Sequence, residues 1–108
     1  MPSRPKHWKY RILYVGRDLA LTAFLKAALS RLDCFVVRSP SGRCSYCLIE
    51  SNINYSLLLF DDELPDMTGK ELAQFTRSLK HRKQTPILIV EKSDDLSVLA
   101  SDIVRLLG

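Results

Sequence analysis

The sequence predicts an α/β protein, a doubly wound parallel sheet in a three-layer α/β/α arrangement. Three observations carry that prediction. Leu57-Leu58-Leu59-Phe60 and Ile87-Leu88-Ile89-Val90 are unbroken apolar runs, the mark of strands buried on both faces. Segments with apolar residues at helical spacing alternate with such runs, which implies βαβ units with right-handed crossovers. The central run ends abruptly in Asp61-Asp62-Glu63, at the carboxyl end of a strand, where open α/β sheets place their sites.

The elements follow in order. Residues 1–9 read as a loose basic arm and residues 10–15 as the first strand. Gly16-Arg17-Asp18 forms the connection, and Asp18 suits the N-cap of a helix reaching about residue 32, with Leu21, Leu25, Ala28, Leu29 and Leu32 on one face. Cys34-Phe35-Val36-Val37 is a short β-rich run, the second strand. Ser39-Pro40-Ser41-Gly42 is turn chemistry, and residues 43–51 fit a short helix. Asn52-Ile53-Asn54 breaks it before the central strand at 56–60. Pro65 turns the chain away, and Thr68 with Glu71 forms a capping box for a helix over 69–83. Thr85-Pro86 stops that helix ahead of the fourth strand. After a polar stretch, Leu96, Leu99, Ala100, Ile103, Leu106 and Leu107 mark one amphipathic helix, and no candidate for a fifth strand follows.

With 108 residues, 46% of them hydrophobic, residues 10–108 make one domain with a real core. No apolar run is long enough to span a bilayer and no apolar leader follows the basic N-terminus, so a soluble cytoplasmic protein is expected. Three cysteines, an odd number, argue against a disulfide framework. The net charge of +4 is concentrated in Arg4, Lys6, Lys9 and Arg11 and again in Arg77, Lys80, His81, Arg82 and Lys83. The second cluster is adequately explained as complementing a helix dipole. Nucleic acid is a disfavoured partner, because no recognition motif accompanies the charge.

The pattern Asp61-x-x-Leu64-Pro65-x-Met67-x-Gly69-x-Glu71-Leu72, after a buried strand in a chain of alternating strands and helices, resembles the receiver domains of two-component response regulators. The resemblance runs from Arg11 to Val90. It implies a flavodoxin-like fold, with Asp61 where the family accepts a phosphoryl group from a histidine kinase. In-line attack by a carboxylate on a phosphoryl group requires that the repulsion between anions be offset. Receivers do so with Mg²⁺ held by the acceptor and an acidic pair after the first strand, helped by a hydroxyl residue ending strand four and a lysine ending strand five. Mg²⁺ takes oxygen ligands in an octahedron, hence the acids.

The supporting positions depart from that pattern. Gly16 and Arg17 stand where the acidic pair belongs, Asp18 matches only the third place, and Glu91 replaces the hydroxyl residue. Two orientations of Arg17 are open: its guanidinium pairs with Asp61 in place of the metal, or it points to solvent. The leading expectation is a pseudo-receiver that is not an enzyme, binds no cofactor, and signals by protein contact in a two-component or related phosphorelay pathway. Its pocket comprises Gly16, Arg17, Asp18, Asp62, Glu91 and Lys92 around Asp61. The alternatives are an active receiver, with Asp18 and Asp61 sharing Mg²⁺ with Asp62, and a small basic nucleic-acid-associated protein.

The tail also reads two ways. Either a piece containing the fourth helix or fifth strand of a receiver is deleted and Lys92 takes the place of the lysine before the last helix, or the domain stops inside an ordinary fourth helix. The apolar face of the last helix favours deletion, since it needs a sheet to cover. Both readings lack the fifth strand and leave the fourth as an edge, which predicts a homodimer, or a partner, at residues 87–90 or at the last helix. The family commonly signals through its fourth helix, fifth strand and fifth helix, so another surface is expected here. Cys44-x-x-Cys47 has redox or zinc spacing but lacks further ligands, and His7 and His81 have no triad partner.

Overall fold

The computed structural model describes residues 8–92 and 94–107, so most of the basic arm, with Arg4, Lys6 and His7, lies outside the described residues. The strands are β1 (Tyr10–Val15), β2 (Cys34–Ser39), β3 (Leu57–Asp61) and β4 (Ile87–Val90). The α-helices are α1 (Leu19–Ala28), α2 (Gly42–Glu50), α3 (Gly69–Ser78) and α4 (Leu96–Leu107). The four strands form one parallel sheet in the order β2-β1-β3-β4. The alternation of apolar runs with amphipathic segments therefore produces the doubly wound sheet expected of it.

Each face of the sheet has its own core. Ile12, Tyr14, Leu57 and Leu59 point to the side covered by Leu21, Leu25 and Leu29 of and just after α1 and by Leu99 and Ile103 of α4. Leu13, Val15, Leu58 and Phe60 point the other way, onto Ile49 of α2 and Leu72 of α3. Alternate residues of a strand face opposite sides, so central strands with both faces covered must be apolar throughout. Leu57 to Phe60 are fully buried, and burial of each contributes roughly 1.5–3 kcal/mol.

The helix boundaries are shorter than the pattern suggests. The first helix ends as a 3-10 turn over Ser30–Leu32, after which Asp33 takes a left-handed conformation, φ 57°, to enter β2. The third ends at Ser78, because Leu79 is extended, and Lys80–Arg82 form another 3-10 turn. The caps match the sequence: the Asp18 carboxylate accepts the Leu21 N–H at 2.9 Å, and Thr68 and Glu71 form a reciprocal capping box.

The position of α4 bears on the tail. Rightward crossovers from β2 to β3 and from β3 to β4 place α2 and α3 on one face, and a helix leading to a further strand beyond β4 would join them there. Instead α4 lies beside α1 on the opposite face. That placement suits a closing helix rather than a crossover helix. Among the described residues β4 has no neighbour on its outer side.

Candidate functional site

The site is assembled where β1 and β3 end. Val15 stands opposite Phe60, so the next step up places Gly16 beside Asp61. Tyr14 shares its face with Gly16, two residues on. Its phenol runs over the glycine and donates to Asp61 Oδ1 at 2.7 Å. A Cβ on residue 16 would fall on the Tyr14 hydroxyl and the Asp61 carboxylate, so only glycine leaves this slot open. The Asp18 N–H donates to the same phenol oxygen at 3.4 Å, closing the turn over it. Behind the carboxylate, a Cβ on Gly69 would strike the Asp61 carbonyl oxygen, which explains the glycine at the start of α3.

Electrostatics follow from this enclosure. Burial raises the pKa of Asp61 above its ordinary 3.8, and the Asp18 charge adds to the rise. The Tyr14 hydroxyl, the Arg17 backbone N–H and, more weakly, Lys92 act against it by favouring the ionised form. Tyr14 itself is pushed well above the usual tyrosine range, first by burial and then by its bond to Asp61 and the charge there. The phenol is therefore a standing proton donor to the carboxylate.

Around this pair lies a cleft of ≈ 680 Å³, lined among others by Arg17, Asp18, Asp61, Asp62, Glu91 and Lys92. The side chains at its rim do not converge. Arg17 is exposed, and among the described residues no ion pair joins it or Lys92 to Asp61; its backbone N–H, not its guanidinium, serves the carboxylate. Asp18 is engaged as the cap of α1. Asp62 and Glu91 are exposed, and the Glu91 N–H donates to Asp94 Oδ2 at 2.9 Å. Among the described residues no three His, Cys, Asp or Glu side chains form a metal-holding group.

Sequence reasoning missed Tyr14. A tyrosine in a strand reads as β propensity, and the signal lies in three residues together: Tyr14, a glycine two positions on, and the aspartate that the register sets beside that glycine. Asp66 was also missed; its carboxylate accepts the Gly42 and Arg43 N–H groups at 3.0 and 2.9 Å, capping α2 from across the chain. Those bonds, that from Arg43 foremost, hold its carboxyl below the usual range.

The other candidates lie elsewhere. In the basic cluster, Arg82 is 2% exposed and donates to the carbonyls of Leu48, Ile49 and Ser51 at the end of α2. Its guanidinium also sits over the Tyr55 ring, 5.1 Å from the centroid. Arg77 bonds to the carbonyls of Arg82 and Lys83, and His81 Nε2 lies 3.0 Å from that of Ser51. Much of the cluster is thus spent on holding backbone. Cys44 and Cys47 are exposed free thiols on α2, while burial first and Asp33 second push Cys34 up to about 11. No described helix is long and apolar enough to cross a membrane.

No family model matches the sequence, and no curated protein matches it. Solved structures do. The chain superposes on the signal receiver domain of a signal transduction histidine kinase from Syntrophus aciditrophicus with a TM-score of 0.76 and 20% identity, over 91% of this chain and 89% of that one. Against the chemotaxis response regulator CheY4 of Vibrio cholerae the TM-score is 0.78 at 18% identity, covering 91% and 98% of the two chains. A putative response regulator from Chloroflexus aurantiacus gives 0.77 at 21% identity, covering 91% and 97%. With its four parallel strands, its helices on both faces and Asp61 at the head of β3, this chain has the flavodoxin-like fold of a response regulator receiver domain.

Proposed function

We infer that this protein is a receiver-like signalling domain that works by protein contact in a phosphorelay or related pathway, without Mg²⁺-dependent phosphorylation of Asp61. The observation that carries this reading is the Tyr14 hydroxyl bonded to Asp61 across Gly16. A Mg²⁺ ion asks for several oxygen ligands in an octahedron. Here the first acid position is a glycine whose space is filled, Asp18 is committed to a helix cap, and one oxygen of Asp61 already accepts a proton donor. That donor set does not fit the ion. The names of the structural neighbours, a receiver of a histidine kinase and a chemotaxis regulator, support signalling and suggest a histidine kinase or another signalling protein as partner.

The test is chemical. The protein is incubated with Mg²⁺ and a small phosphodonor, and separately with Mg²⁺ and beryllofluoride, and followed by intact mass and by near-ultraviolet circular dichroism compared with that of Tyr14→Phe. No mass gain and no spectral change are expected. A gain of one phosphoryl group that Asp61→Asn abolishes would establish the rival reading, an active receiver.

A further inference from the structure

Among the described residues the outer edge of β4 is open, and it carries a pattern. The Leu58 N–H donates to the Pro86 carbonyl at 2.9 Å and the Asp62 N–H to that of Val90 at 2.8 Å. In a parallel ladder alternate residues bond to the same neighbour, so Pro86, Leu88 and Val90 serve β3 while Ile87 and Ile89 turn their N–H and C=O groups outward. At Glu91 the open row stops, because its N–H goes to the Asp94 carboxylate and its C=O to the Asp94 N–H. No charged residue interrupts this edge, although native proteins commonly protect open edges with one. Ile89 is 37% exposed, and Val104 of α4 is 46% exposed.

The charges flanking β4 say what fits there. Exposed Lys80 and Lys83 precede the strand, and exposed Glu91, Asp94 and Asp95 follow it, with Lys92 between. An antiparallel neighbour with the same arrangement would lay its acidic end against this basic end, and its basic end against this acidic one. A second copy of this chain has that arrangement by construction.

We propose that two copies of this chain associate through β4, pairing antiparallel about a two-fold axis at Leu88 to make one continuous eight-stranded sheet. In that register Ile87 of each copy faces Ile89 of the other, and the outward groups of both residues form roughly four backbone hydrogen bonds. Thr85 comes opposite Glu91 of the second copy, with Lys83 diagonal to it and within reach of a long side chain. The axis stands perpendicular to the sheet, so both copies of α4 lie on the same face beside each other and the exposed Val104 side gains cover. The contact is isologous and closes at two copies. It gives the protein-contact reading a surface, yet it does not depend on the state of Asp61; a failure to pair would leave the phosphodonor result standing, and the reverse.

The test uses the full chain. Sedimentation over a range of concentrations should show a monomer–dimer equilibrium, and the Ile87 and Ile89 amides should exchange with solvent more slowly as concentration rises. Ile89→Pro removes an N–H that β3 does not use, so it should keep the native circular dichroism and be monomeric. Lys83→Glu and Glu91→Lys should each weaken self-association by about tenfold. Mixing those two variants should restore a dimer, because each acidic end then meets a basic one. A chain that stays monomeric at the highest concentration reached would overturn the proposal. So would a dimer that Ile89→Pro leaves intact, or two charge-reversed variants that remain apart on mixing.

Discussion

At the head of β1 and β3 the two innermost polar groups, Tyr14 and Asp61, are bonded to each other; along the outer side of β4 the backbone groups of Ile87 and Ile89 point outward with no partner among the described residues. Asp61 accepts from Tyr14, the Asp18 carboxylate caps α1, and the Asp18 N–H meets the phenol. Ile87 and Ile89, by contrast, present backbone donors and acceptors with no described neighbour. At the first place one oxygen of Asp61 is already engaged by the Tyr14 hydroxyl. Changes at the cleft should therefore alter stability and leave association alone, and changes at the edge should do the opposite.

Gly16→Ala should be the most damaging change at the cleft. The new methyl group falls on both the Tyr14 hydroxyl and the Asp61 carboxylate, so it overpacks the site and also breaks its central bond. A loss of about 3 kcal/mol by urea unfolding is expected, the upper end for an added methyl group in a filled space. An unchanged midpoint would mean the slot is roomier than the Tyr14–Asp61 contact implies.

Tyr14→Phe removes the donor and leaves the ring. The partly buried carboxylate then lacks a partner, at a cost of about 1–2 kcal/mol at neutral pH, and Asp61 should titrate at higher pH than in the parent, read by carboxyl NMR. Equal stability would show that water replaces the phenol without loss.

Asp61→Asn acts in the opposite direction. Burial lifts the folded pKa of Asp61 above its ordinary value, so the folded state holds the proton more tightly than the unfolded state. Stability from this group is present in full below about pH 4 and is lost as pH rises through the folded pKa. The amide carries no charge and still accepts from Tyr14, so the variant should be more stable than the parent at pH 7 and gain nothing in acid. A gain independent of pH would point to some cause other than the buried charge.

The smallest expected effect on stability is at the edge. Ile89→Lys, on a strand whose outer side is open, should shift monomer unfolding by no more than about 0.5 kcal/mol. A large loss there, or a change in self-association caused by Tyr14→Phe, would break the contrast between the two regions.

The sequence disclosed those features that depend on local order. The bounds of β1 and β4, the Asp18 and Thr68 caps, and the two-sided burial of β3 all follow from neighbours along the chain. Tyr14 and Arg82 were hidden because their roles depend on distant partners: Tyr14 meets a carboxylate 47 positions away, and Arg82 meets carbonyls more than 30 away. The run from Arg77 to Lys83 looks like a solvated helix end, yet the helix stops at Ser78 and the fold draws one guanidinium inside. Likewise the orientation of Arg17, open on the sequence, is settled by the turn that directs its N–H rather than its side chain at Asp61.

Arg82 has one further consequence, for the order in which the molecule opens. Its guanidinium joins the last turn of α2 to the turn before β4, and the three carbonyls it holds have no acidic group among them to release it. For α2 to fray from its carboxyl end, a buried cation must first be brought to water. The last turn of a surface helix ordinarily exchanges its amides early, through local fluctuations. Here it should exchange late, together with β3 and β4, so that the second helix and the edge strand open as one cooperative unit.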